Sequence, residues 1–179
     1  MIESIITSKT RIKLLLKFFL NSDTRSYLRN LEQEFGESSN AIRIELNRLE
    51  EAGLLKSELA GNRKFFSANT THPLYNDINS IVRKITGIDK VVEKIVSKIG
   101  NLEKAYLTGD FARGIDSATI DLLLVGQPLD IEYIDQLVRK TEELVKRKIH
   151  YLVLSDNQMG GYFKDRPTLL IWQKTDNNQ

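Results

Sequence analysis

The chain has 179 residues, 41% apolar and 28% charged, an ordinary globular composition that excludes a disordered chain and allows one domain or two small ones. Lys and Arg total 26 against 24 Asp and Glu, so the net charge is +2 and binding driven by bulk charge is excluded; any nucleic-acid affinity must come from a local patch. The absence of Cys excludes disulfides, thiolate zinc sites and a Cys nucleophile, and it fits a cytoplasmic protein.

The apolar run from Ile12 to Leu20 is broken by Lys13 and Lys17. It is too short and too charged to span a bilayer, and no small-residue cleavage signal accompanies it, so neither a signal peptide nor a membrane helix is expected. Ser8 is positioned to cap a helix over 9–20, with Ile12, Leu15, Leu16 and Phe19 on one face. Ser26 is expected to cap a second helix through Phe35, ended by Gly36, and Ser39 a third that runs to Ala52 and stops at Gly53. Leu54 to Leu59 and Lys64 to Ala68 read as two strands joined by the turn Ala60-Gly61-Asn62-Arg63. Three helices with a tight turn between the second and third, then a hairpin, describe a winged helix-turn-helix over 1–72.

Between 73 and 100, Ile78, Ile81, Ile85, Ile88, Val92, Ile95 and Ile99 follow alternating steps of three and four, an a/d seam suited to dimerisation. Gly87 and Asp89 suggest two helices or a kink within it. From 101 to 175 strands and helices alternate: strands over 104–108, 119–125, 149–154 and 168–172, and helices over 131–146 and 156–163. That predicts an α/β domain of about 75 residues. The polar tail 176–179 is expected to fray. The whole chain is thus expected to be α+β. Residues 1–72 hold 11 basic and 9 acidic residues and 73–179 hold 15 of each, so the basic excess lies in the N-terminal part.

The third helix carries a set of side chains suited to a major groove. Ile42, Leu46 and Leu49 share the inward face, leaving Ser39, Asn40, Arg43, Ile44 and Asn47 on the opposite one. Arg bridges guanine, Asn bridges adenine, and an aliphatic group meets a thymine methyl. Asn62, Arg63 and Lys64 at the hairpin tip, and Arg25, Tyr27 and Arg29 near the second helix, are placed for phosphates. The other reading of these residues is a solvated helix face on a protein-interaction module. The run Ser38-Ser39-Asn40-Ala41-Ile42-Arg43-Ile44-Glu45-Leu46-Asn47-Arg48-Leu49-Glu50-Glu51-Ala52-Gly53-Leu54 resembles the recognition helix and exit of ArsR/MarR-type bacterial winged-helix regulators. The resemblance covers about residues 8–70 and implies double-stranded DNA as partner. No Cys or His cluster matches the metal sensors of the ArsR group.

A second constellation follows. Tyr106-Leu107-Thr108-Gly109-Asp110-Phe111-Ala112-Arg113-Gly114, then Ile120-Asp121-Leu122-Leu123-Leu124-Val125, resembles minimal nucleotidyltransferases of the polymerase-beta superfamily. Their motif, Gly-Ser-x-Ala-Arg-Gly followed by Ser-Asp-x-Asp-Leu-Leu-Val, implies a glycine turn that receives a triphosphate and paired carboxylates that hold two magnesium ions. This chain departs from it. Asp110 replaces the Ser, Thr119 stands at the first carboxylate, and only Asp121 remains of the pair. His150 falls near the place of the third carboxylate, and the loop 115–118 is about two residues short. One carboxylate is a poor magnesium site. Asp121 is either a ligand or a relic bonded to the 109–113 turn.

The expectation is therefore a sequence-specific DNA-binding transcriptional regulator, a homodimer with no metal and no cofactor. Its degenerate nucleotidyltransferase-like domain is expected to be inactive and to serve a sensory or accessory role, with an unknown small-molecule or protein effector. The alternative is an active magnesium-dependent nucleotidyltransferase that uses the winged helix for placement.

Overall fold

In the computed structural model the described residues are 6–163 and 166–175; the frayed tail expected at 176–179 lies outside them. The architecture is α+β, with two sheets and eight α-helices among the described residues. The chain divides into two compact units, Met1–Ile85 and Thr86–Gln179. The division falls inside the segment 73–100. No helix among the described residues is long and apolar enough to cross a membrane.

In the first unit, α1 (Lys9–Phe19) starts at Ser8, whose hydroxyl accepts from the Arg11 N–H. It contributes Leu14, Leu16, Phe18 and Phe19 to the core. Strand β1 (Arg25–Tyr27) follows. Ser26 therefore does not cap a helix: it is buried in a strand opposite Phe66, and Tyr27 is the residue that precedes α2 (Leu28–Phe35). Gly36, at φ +64°, ends α2 in the left-handed conformation that favours glycine. Ser38, not Ser39, caps α3 (Ser39–Glu51) by accepting from the Ala41 N–H. One residue earlier, the cap leaves Ser39 as the first helical residue.

Helices α1 and α3 are clamped by Glu45, which accepts from Arg11 at 2.7 Å and pairs with Arg48 at 3.1 Å. Burial pushes the Glu45 carboxyl upward, but the bonds from Arg11 and Ser8 outweigh it and hold the pKa below the usual range. Strands β2 (Leu55–Ala60) and β3 (Arg63–Ala68) form an antiparallel hairpin, and β1 pairs on the other side of β3, giving the order β1-β3-β2. Leu55, Phe66 and Ala68 are buried on the inner face.

Helix α4 (Tyr75–Thr86) completes the unit. It is tied to α1 by the Phe19 and Tyr75 rings, 5.6 Å apart, and by the Asn79 side-chain amide, which donates to the Phe19 carbonyl at 2.5 Å. Gly87 separates α4 from α5 (Ile88–Lys94), so the apolar seam is two helices. Its halves have different fates: Ile88, Ile95 and Ile99 are buried in the second unit, whereas Ile81 is exposed.

The second unit is a four-stranded sheet of order β6-β5-β4-β7, built from β4 (Leu102–Thr108), β5 (Thr119–Gly126), β6 (Lys148–Leu154) and β7 (Thr168–Gln173). The short helix α6 (Gly109–Ala112) links β4 to β5. β5 runs antiparallel to β4 and parallel to β6. Its apolar run from Leu122 to Val125 is fully buried, as a central strand requires. Helix α7 (Ile131–Val145) makes the crossover between β5 and β6, capped by Asp130 and burying Ile134, Val138 and Thr141. A short helix α8 (Asp156–Tyr162), with no buried residue, precedes β7.

Candidate functional sites

The first unit holds a concavity of about 540 Å³ between α3 and the β2–β3 hairpin. Its wall takes Arg43 and Asn47 from α3, Arg29 from the first turn of α2, Tyr27 from β1, and Asn62, Arg63 and Lys64 from the hairpin. Seven of the eleven residues expected to contact DNA thus meet in one groove. Four are cationic, against the single carboxylate of Glu32 in that wall. Asn40 and Ile44 are exposed on α3 and Ser39 is half-buried, but none of the three lines the groove. Arg25 lies elsewhere, on the outer sheet face, paired with Glu58 at 2.6 Å.

The cations differ in freedom. Lys64 bonds Glu50 at 2.6 Å, and that bond together with one from Ser57 lowers the Glu50 pKa. Arg63 stacks on the Tyr27 ring, 4.7 Å from its centroid. Arg29 and Arg43 make no ion pair among the described residues, so their charge is available to an anion. The backbone explains why these groups meet. The αL turn at Gly36 and the Ser38 cap set α3 after α2, and the β1–β3 pairing brings Tyr27 opposite Phe65 beside the hairpin. Leu28, Leu46 and Phe66 form the apolar floor and were not anticipated from sequence as part of this groove.

The second unit has a cleft of about 470 Å³. Its position follows from register. Thr108, Asp121 and His150 are direct neighbours across β4, β5 and β6 and so share one sheet face. Tyr151 points the other way, donating to Asp135 of α7 at 2.5 Å; burial and this bond push its pKa up to about 12. His150 Nδ1 lies 3.4 Å from Asp121 Oδ1. Gly109, at φ +61°, approaches the Asp121 carboxylate so closely that a Cβ there would lie 2.7 Å from Oδ2. The glycine of the motif is therefore required twice over, by its backbone conformation and by its neighbour.

Of the seven residues singled out in the nucleotidyltransferase-like motif, Gly109, Arg113, Asp121 and His150 line this cleft. Asp110 is exposed, Gly114 buried and Thr119 half-buried, all outside its wall. Tyr162 and Arg166, stacked at 4.6 Å, close the far side. Neither stood out in the sequence, because nothing in their spacing ties them to Asp121. Among the described residues no three His, Asp or Glu side chains are grouped to hold a metal ion.

No protein-family model matches the chain, and no curated protein matches it. Among solved structures, similarity is found to an E. coli protein named by prediction as a DNA-binding transcriptional regulator, at 19% identity and TM-score 0.36, covering 49% of this chain and 87% of that one. The Archaeoglobus fulgidus protein AF1382 is similar at 15% identity and TM-score 0.38, over 52% of this chain and 98% of that one. A candidate nucleotidyltransferase from Sulfolobus solfataricus is similar at 25% identity and TM-score 0.35, over 54% of this chain and 86% of that one.

Proposed function

We propose that the chain is a sequence-specific DNA-binding transcriptional regulator of the winged-helix type, working in the cytoplasm on double-stranded DNA. In this reading α3 enters the major groove and the β2–β3 hairpin is the wing. The observation that carries it is the α3–hairpin groove, where Arg29, Arg43, Arg63 and Lys64 converge with Asn47 and Asn62. That set combines phosphate-binding cations with amide and guanidinium groups able to read base edges. The test is filter binding of the full chain to duplex fragments over a salt series. Log affinity falls with log salt by about 0.9 per phosphate contact; binding that ignores salt would contradict the reading.

The domain assignment we propose keeps 1–72 as the DNA-reading part, 73–100 as a connecting helical segment and 101–175 as the nucleotidyltransferase-like part. Within the connecting segment α4 is the dimerisation element. Leu74, Ile78, Ile81 and Ile85 recur at steps of four, three and four, with Leu74 53% and Ile81 49% exposed. Ile81→Asp is expected to give monomers with weakened DNA binding, since two half-sites require two copies. A dimer by light scattering in this variant would exclude α4 as the interface.

The C-terminal unit, in this reading, transfers no nucleotide and serves a sensory or accessory role. Asp121 is the one carboxylate at the metal positions, next to His150, and neutral imidazole prefers softer metals than magnesium. Wild type incubated with labelled nucleoside triphosphates and magnesium or manganese is expected to transfer no label. Transfer that disappears in Asp121→Ala would establish the enzyme instead.

A further inference from the structure

The outer face of the N-terminal sheet carries an ordered group of cations and rings, two of which, Tyr27 and Arg63, also form the rim of the α3–hairpin groove. Tyr27, Phe65 and Glu58 occupy one row across β1, β3 and β2. Arg25 and Arg63 lie on the same face, on either side of that row, by strand alternation. Both lean inward. The Arg25 guanidinium sits 4.2 Å over the Phe65 ring and that of Arg63 4.7 Å over the Tyr27 ring, while the two rings meet edge to face at 5.2 Å. Arg25 is also held by Glu58 at 2.6 Å; Arg63 has no ion pair among the described residues.

Two guanidiniums drawn toward one row repel each other. A ring face holds a cation through its quadrupole without cancelling its charge, so the charge remains available. It also fixes the rotamer before binding, which lessens the entropy lost on contact. A ligand that gains from paired, preset guanidiniums is one carrying repeated anionic oxygens.

We propose that this face is an aromatic-held clamp for the phosphate backbone of duplex DNA. Tyr27 and Phe65 are positioning residues for Arg63 and Arg25, and Glu58 restrains Arg25 until a phosphate displaces it. The proposal rests on the DNA-binding reading and goes beyond it. It gives Tyr27 a role through its ring, where the sequence placed it only for contact with phosphate, and it assigns Phe65 and Glu58 roles that the motif did not.

The test is binding of full-length variants to a mixed-sequence duplex over a salt series. Tyr27→Leu is expected to weaken binding about two- to fivefold, the worth of one exposed cation–π contact. Tyr27→Phe keeps wild-type affinity, and Tyr27→Leu adds nothing in an Arg63→Ala background. Glu58 is an exposed rim residue whose loss does not threaten the fold. Glu58→Gln is expected to tighten binding about twofold or more and to steepen the salt slope by about one phosphate. Loss of affinity in Tyr27→Phe equal to that in Tyr27→Leu, additive effects of Tyr27→Leu and Arg63→Ala, or an unchanged Glu58→Gln would each overturn the clamp. If Arg63→Ala itself leaves affinity unchanged while Arg43→Ala lowers it, the clamp fails and the DNA-binding reading stands. If neither matters, the reading fails as well.

Discussion

Arg43→Ala is expected to weaken binding to the preferred duplex by about 1–3 kcal/mol, roughly five- to 150-fold, while leaving non-specific binding nearly unchanged. The argument is positional. Arg43 is exposed on α3, lines the groove beside Asn47, and has no ion pair among the described residues to compete with a base. Its removal takes away a bidentate donor to guanine but leaves the wing cations in place. Arg63→Ala should behave in the opposite way, lowering affinity for all sequences alike and flattening the salt dependence by about one phosphate. Anisotropy titrations on preferred and scrambled duplexes separate the two. Equal loss on both duplexes in Arg43→Ala would remove α3 from base recognition.

Gly109→Ala should destabilise the C-terminal unit by about 1–3 kcal/mol, combining left-handed backbone strain with displacement of a neighbour. The φ of +61° is one cause and the Asp121 carboxylate, 2.7 Å from the added Cβ, is the other. Asp121→Ala removes the second cause alone, so Gly109→Ala should cost less in that background. Trp172 is the only Trp of the chain and lies on β7, so its fluorescence during urea unfolding reports on this unit specifically. A Gly109→Ala cost unchanged by Asp121→Ala would show that strain alone sets it.

Local signals carried most of the fold. Ser8 and Asp130 cap α1 and α7 because a short oxygen-bearing side chain before a periodic run satisfies free N–H groups. The apolar run of β5 reads as a buried strand from its β-branched and leucine content alone. One failure is local, the α3 cap falling on Ser38 and not Ser39; the larger one comes from pairing over long sequence distance. Ser26 looks like a cap, but its partner Phe66 lies forty residues on, and β3 draws it into a strand. The break in the a/d seam was legible at Gly87, whose left-handed φ of +83° separates two helices as expected; what the seam did not show is that the second unit buries Ile88, Ile95 and Ile99.

The sites were legible to the same degree. Arg43 and Asn47 share a helix face, and Asn62, Arg63 and Lys64 a hairpin tip, by local helix period and turn chemistry; the packing of α3 beside the hairpin joins the two sets in one groove. The aromatic clamp was not visible, since Phe65 faces Tyr27 only through the β1–β3 register. The cleft around Asp121 was half visible. Gly109 and Asp121 come from one contiguous motif, whereas Tyr162 and Arg166 reach it through α8 and the turn into β7.

Selection of a randomised duplex library by the full-length chain, run in parallel with Arg43→Ala, tests the central claim most directly. The account predicts that wild type enriches one recurrent motif, containing a guanine whose preference is relaxed in Arg43→Ala. Wild type that enriches no sequence over the starting library, at a salt concentration where it still binds duplex, would contradict sequence-specific recognition through α3.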